Sequence, residues 1–240
     1  MLAEAFQGVG KWRESLEAID QAGLQGRSAR AAYLRGRAHE AAGRPEDAAA
    51  AYREAVEKDR RLADVHLRLA RILEKQGAFE DAATSFEAVV KLEAHDADVL
   101  VALARCQRGI DRVDLALATL KKAALLAPHD SSIPRARGEV LLEQGEYGDA
   151  ITAFARAVRA NAEDARAWLG LGLAQERSGE DMEAIAALRK AVRIDPTQIG
   201  AQRLLGFLLE RRGYPQQAVT AFAIVVKAEP SDVERLPIEP

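Results

Sequence analysis

The sequence predicts an all-α fold, an α-solenoid of paired helices, and three observations carry that prediction. Alanine recurs every 34 residues, at Ala48, Ala82, Ala116, Ala150, Ala184 and Ala218. Two further columns keep the same step. Gly36, Ala70, Ala104, Gly138, Gly172 and Gly206 are all small, and Tyr52, Phe86, Leu120, Phe154, Leu188 and Phe222 are all large and apolar. Composition agrees, because aromatics make up only 5% while alanine is abundant, which suits closely packed amphipathic helices better than a β-sandwich.

Taken in chain order, the period predicts a partial unit at 2–28 ("LAEAFQGVGKWRESLEAIDQA"). Six full units follow at 29–62, 63–96, 97–130, 131–164, 165–198 and 199–232, with a tail at 233–240. All are expected to belong to one array over 1–240. Each unit reads as two helices. In "ARAWLGLGLAQERSGEDMEAIAALRKAVRIDP", apolar residues recur at three- and four-residue intervals on both sides of "SGED". The first helix should end at a glycine: Gly43, Gly77, Gly145, Gly179 or Gly213, with Asp111 the exception. Pro128, Pro196 and Pro230 close three of the second helices. Asp96, Asp130, Asp164 and Asp232 stand where a carboxylate can cap the next helix.

At these positions the sequence resembles the tetratricopeptide repeat family. The fifth unit carries the pattern most fully, with Trp168, Leu171, Gly172, Gly179, Ala184, Ala191 and Pro196. The resemblance implies helix pairs stacked into a right-handed superhelix, with first helices lining a concave groove that holds other proteins. The chain departs from the pattern at Arg35 and Arg137, where an apolar residue is usual, and at Asp111 in a turn. Family members that grip acidic chaperone tails use asparagine and lysine at set groove positions, and this chain has no asparagine there. The single asparagine, Asn161, lies between units.

Enzymatic signatures are not found. Gly170 and Gly172 form a G-x-G pair, but no third glycine or β-strand accompanies it, and there is no G-x-x-x-x-G-K-[ST]. One cysteine and four histidines, without H-E-x-x-H, do not suit zinc. His95-Asp96 and His129-Asp130 recur between units and read as helix caps beside exposed histidines rather than as a metal site. Cys106 aligns with Ala38, Ile72, Val140, Ala174 and Leu208, an apolar column, so a buried inert thiol is expected. No catalytic residue, cofactor or metal is therefore expected. A net charge of −3 gives no basic excess for nucleic acid, and no run is long and apolar enough to span a bilayer.

Carrying the family's groove positions over gives one column of Arg37, Arg71 and Arg105, then Glu139, Leu173 and Phe207. Arg30, Arg68, Lys75 and Arg108 belong to neighbouring columns, interrupted by Glu40, Asp64, Glu74 and Asp98, so the local field is positive. Arginine's planar fork suits the carboxylates of an acidic or C-terminal segment. Further along, Leu142, Leu169, Leu173, Leu204 and Phe207 offer apolar anchors. Pairing of the arginines with neighbouring carboxylates is the competing account. Gly170, without a packing reason, is expected to leave bare backbone in the groove.

The expected function is a non-enzymatic scaffold that binds a protein partner's acidic or apolar segment and helps assemble a complex. Eight lysines among 34 basic residues leave 26 arginines, an arginine and alanine bias associated with GC-rich bacteria. Envelope, pilus, secretion or organelle assembly is the specific expectation. The rivals are the substrate-recognition repeats of a larger enzyme, such as an O-linked glycosyltransferase, and a scaffold that self-associates through its ends. With one cysteine and no signal or membrane segment, the cytoplasm is the default compartment. A periplasmic or envelope setting fits if the chain is cut from a longer protein, which the abrupt ends of the array favour.

Overall fold

The computed structural model describes residues 12–21, 28–93 and 96–229. His95, Asp232, Pro230, the start of the partial unit and the tail at 233–240 lie outside them. The described residues form thirteen helices and no strand. A lone helix, α1 (Trp12–Gln21), comes first. Three pairs follow: α2 (Ala29–Ala41) with α3 (Pro45–Lys58), α4 (Ala63–Lys75) with α5 (Phe79–Leu92), and α6 (Ala97–Gly109) with α7 (Val113–Leu126). Three more come after: α8 (Ser132–Glu143) with α9 (Tyr147–Ala160), α10 (Ala165–Arg177) with α11 (Asp181–Ile194), and α12 (Ile199–Arg211) with α13 (Pro215–Ala228). Even-numbered helices are thus the first of each pair.

The helices gather into two compact units, Met1–Leu126 and Ala127–Pro240. Within each, every helix packs on its neighbours in sequence, so that α3, α5, α9 and α11 each lie between the first helix of their own pair and that of the next. This nearest-neighbour layering is the stacking of a solenoid. The large column fills the layers: Tyr52, Phe86, Leu120, Phe154, Leu188 and Phe222 are at most 1% exposed. Burying each such side chain contributes roughly 1.5–3 kcal/mol.

The small column exists because of those rings. A Cβ on Gly36 would stand 2.4 Å from the Tyr52 ring, on Gly206 2.4 Å from Phe222, and on Gly172 2.7 Å from Leu188 Cγ. Contacts this short leave room for hydrogen alone.

The caps follow the expected chemistry, with one shift of position. Asp96 accepts from the backbone N–H of Asp98 at 2.8 Å, and Asp164 from that of Ala167 at 3.0 Å. Asp130 accepts from Ser132 N–H at 2.8 Å, but Ser131 holds the cap position of α8. Pro128 and Pro196 follow the ends of α7 and α11 by two residues.

All six turns within the pairs are alike. The residue after the turn donates to a carbonyl five residues back, as in Ala78 N–H to Leu73 (2.9 Å) and Glu180 N–H to Gln175 (2.8 Å). The turn residue must then be left-handed, and Gly43, Gly77, Gly145, Gly179 and Gly213 have φ of 68–85°. Asp111 takes the same role at φ 57°, with Arg112 N–H bonded to Gln107 at 2.8 Å. An L-residue is strained there and aspartate tolerates it better than most. Asp111→Gly should therefore stabilise unit 1 by about 0.5–1 kcal/mol, read as a higher urea midpoint with an unchanged slope.

Arg35 and Arg137, the two departures before the small column, also find simple solutions. The Arg35 guanidinium pairs with Glu54 across α2 and α3, and Arg137 is exposed.

Candidate functional site

In unit 1 the first helices α2, α4 and α6 are joined by side chains running from one to the next. The Tyr33 hydroxyl on α2 donates to Asp64 Oδ2 on α4 at 2.7 Å. Arg68 Nε donates to the same Oδ2 at 3.1 Å, and its Nη1 reaches back to Glu40 Oε2 on α2 at 3.0 Å. Tyr52, from the second helix α3, donates to that same Glu40 oxygen at 2.7 Å. Burial opposes the charge on Asp64, yet the bonds from Tyr33 and Arg68 outweigh it and hold its pKa below the ordinary aspartate value. Burial, followed by the neighbouring carboxylate, raises the pKa of both tyrosines.

This network sorts the sequence-predicted arginines. Arg68 has its fork occupied by two carboxylates. Arg105 is paired through Nη2 with Glu74 Oε1 at 3.0 Å. Arg37 lies half-buried with its guanidinium 5.9 Å from the centre of the Tyr33 ring, within cation–π range. Arg108 is half-buried, and Arg30 and Lys75 are exposed. Arg71 differs from Arg68 and Arg105. It is exposed on α4 and makes no ion pair or hydrogen bond among the described residues.

In unit 2 the corresponding face changes character. Arg135 on α8 bridges Asp164 (3.0 Å) and Glu139 (3.1 Å), which closes the charged part. Leu142, Leu169, Leu173 and Leu204 are half-buried. Phe207 is 37% exposed, its ring set edge-on to Phe222 at 5.3 Å between centres. Leu169 and Leu204 pack on the core formed by α11 to α13, so their exposed edges are held rigidly.

Gly170 requires a correction. It is buried, and a Cβ there would stand 2.3 Å from Phe154 Cε1, while one on Gly138 would stand 2.9 Å from the same ring. Phe154 is therefore clasped between the first helix of its own pair and that of the next, and Gly170 is a packing site, not bare groove backbone. Tyr33 was not among the expected contacts, although its column also holds Leu169. Nothing in the periodicity showed that its hydroxyl would fix Asp64.

Among the described residues no group of histidine, cysteine, aspartate and glutamate is arranged to hold a metal ion. Cys106 is buried, and burial with nearby Glu74 pushes its thiol up to about 12, the reverse of an activated nucleophile. No helix among the described residues is long and apolar enough to cross a membrane.

Comparison with known proteins accords with this architecture. One tetratricopeptide repeat model matches residues 1–63 and 135–199, and a second matches 73–138. No curated protein matches the chain in sequence. Among solved structures, MamA 41-end from Desulfovibrio magneticus RS-1 is 26% identical with a TM-score of 0.60, over 71% of this chain and 97% of that one. TTC0263, a thermophilic TPR protein from Thermus thermophilus, is 24% identical, TM-score 0.61, over 72% and 94%. YrrB, described as a TPR protein with an unusual peptide-binding site, is 21% identical, TM-score 0.60, over 78% and 94%. With family models matching more than half of its length, the chain belongs to the tetratricopeptide repeat family.

Proposed function

We propose that the chain is a non-enzymatic adaptor holding partner segments on the faces of its first helices. Unit 1 takes an acidic segment or a C-terminal carboxylate, and unit 2 takes apolar side chains. The observation that carries this reading is Arg71, an exposed guanidinium without a counter-ion among the described residues, on a face where Arg68 and Arg105 are already neutralised. Fixing the neighbouring arginines keeps the surface ordered, while Arg71 retains its full capacity for a bidentate carboxylate. On unit 2, Leu169, Leu173 and Phe207 offer rigid apolar contacts without a buried charge to desolvate. The family supports protein binding, and the likeness to YrrB is consistent with peptide binding. The arginine and alanine bias and the likeness to MamA support a bacterial assembly role at the envelope, a pilus, a secretion system or an organelle.

A labelled peptide ending in several glutamates and a free carboxylate tests the unit 1 face by fluorescence anisotropy. Arg71→Glu should weaken its binding at least about tenfold and leave the thermal midpoint unchanged, since Arg71 makes no ion pair or hydrogen bond among the described residues. Arg105→Glu should also weaken binding but lower stability somewhat, because Glu74 would then face a like charge. Unchanged affinity in Arg71→Glu would refute the reading.

A further inference from the structure

The second helices present their outer faces to solvent, and in five of the six pairs those faces are charged or polar at two fixed columns. The first column reads Asp47, Asp81, Leu115, Asp149, Glu183 and Gln217, all exposed. The second reads Glu57, Lys91, Leu125, Arg159, Arg193 and Lys227, again all exposed. Only α7 breaks both, with Leu115 50% and Leu125 78% exposed. Because the columns face water in every pair, these leucines are exposed by their register and not by an accident of one loop.

Folding does not explain them. Elsewhere the first column serves to link neighbouring second helices, as in Arg53 to Asp81 at 3.4 Å and Arg189 to Gln217 at 2.5 Å. Leu115 makes no such link, since Glu87 stands in the donor column of α5, and it gains little burial in its place. Leu115, Ala118 and Leu125 lie on one arc of α7, spanning about 15 Å at 1.5 Å per residue. Lys121 and Lys122 rise from the same arc, both exposed and without an ion pair among the described residues.

Beyond the reading of the first-helix faces, we infer that the outer face of α7 is a second docking surface, for an acidic amphipathic helix of a partner protein. The apolar arc matches about three turns of a helix whose apolar residues recur at three- and four-residue spacing. The two lysines select acidic flanks. They also oppose a second copy of this chain as occupant. Antiparallel pairing of two α7 helices that set Leu115 against Leu125 would bring four lysines together near the crossing, with only the two Asp114 carboxylates, near the helix starts, on the same arcs.

The test uses a labelled, end-capped helical peptide of about 18 residues, with leucines on one face and glutamates flanking them, and a control with lysines in place of the glutamates. The variant combines Leu115→Asp with Leu125→Lys, residues that other pairs carry in these columns, so the fold should be retained. The glutamate peptide should bind the native chain, with the lysine peptide and the double variant each at least about tenfold weaker. Arg71→Glu should leave this binding unchanged, which separates it from the unit 1 face. Equal binding by the double variant overturns the inference. So does concentration-dependent dimerisation of the native chain that the double variant abolishes, since the occupant would then be a second copy.

Discussion

Replacing Gly170 with leucine, the residue that this column carries at Leu34 and Leu204, should destabilise unit 2 by about 3 kcal/mol. Even Gly170→Ala should lower stability, by about 1–2 kcal/mol, although alanine is the better helix former by about 1 kcal/mol. The cause is the Phe154 ring, whose Cε1 lies 2.3 Å from where the Cβ would be. The ring cannot retreat, because Gly138 on the other first helix already allows it an approach closer than a methyl group would. Phe154→Ala should cost about 3–5 kcal/mol, since two glycines leave no side chain able to collapse into the cavity. Phe154→Leu should partly rescue Gly170→Leu, giving a favourable coupling of about 1–3 kcal/mol in a double-mutant cycle. Urea midpoints of the four chains measure it, and strictly additive effects would show that the ring and the glycine do not meet.

The second large effect concerns Asp181, a carboxylate only 7% exposed at the start of α11. Its column otherwise holds Pro45, Phe79, Val113, Tyr147 and Pro215. In unit 1 Phe79 covers Gly109 of the next first helix, a ring carbon standing 2.6 Å from where a Cβ would be. Asp181 makes the equivalent contact with charge. It accepts from Nε and Nη2 of Arg211, the former at 3.0 Å, and from Arg212 Nε at 2.9 Å. Asp181→Ala should cost about 2 kcal/mol; the two arginines are half exposed and recover some hydration, which keeps the loss from being larger.

The bonds from Arg211 hold the Asp181 pKa below the ordinary aspartate value despite burial. A carboxylate with a depressed folded-state pKa binds its proton more readily in the unfolded chain. Its contribution is therefore fully present above about pH 4 and lost as the pH falls through the lower folded value. Thermal midpoints measured between about pH 5 and 2 should fall less steeply in Asp181→Asn than in the native chain. A slope unchanged by that substitution would remove Asp181 from the acid response. Asp64, depressed for a similar reason, should supply part of the slope that remains.

The sequence by itself determined the helix pairs, their turns and the recurrence of a small and a large column. Each follows from short-range chemistry repeated in register: a left-handed turn residue, a capping carboxylate, an apolar face every three or four residues. The break at Leu115 and Leu125 stands in the same register, but it carries meaning only once the structure shows that those columns face solvent.

Only the tertiary structure decided which charges are available. Arg71 and Arg105 stand in one column of the sequence. Yet whether a guanidinium is neutralised depends largely on carboxylates about 30 residues away on the neighbouring first helix, even where, as at Arg68, a carboxylate on its own helix adds to them. Glu40 and Glu74 reach Arg68 and Arg105; nothing described reaches Arg71. Gly170 shows the same limit. Its own column gave no packing reason for a glycine, because the ring that requires it belongs to the preceding pair, and only stacking brings the two within contact.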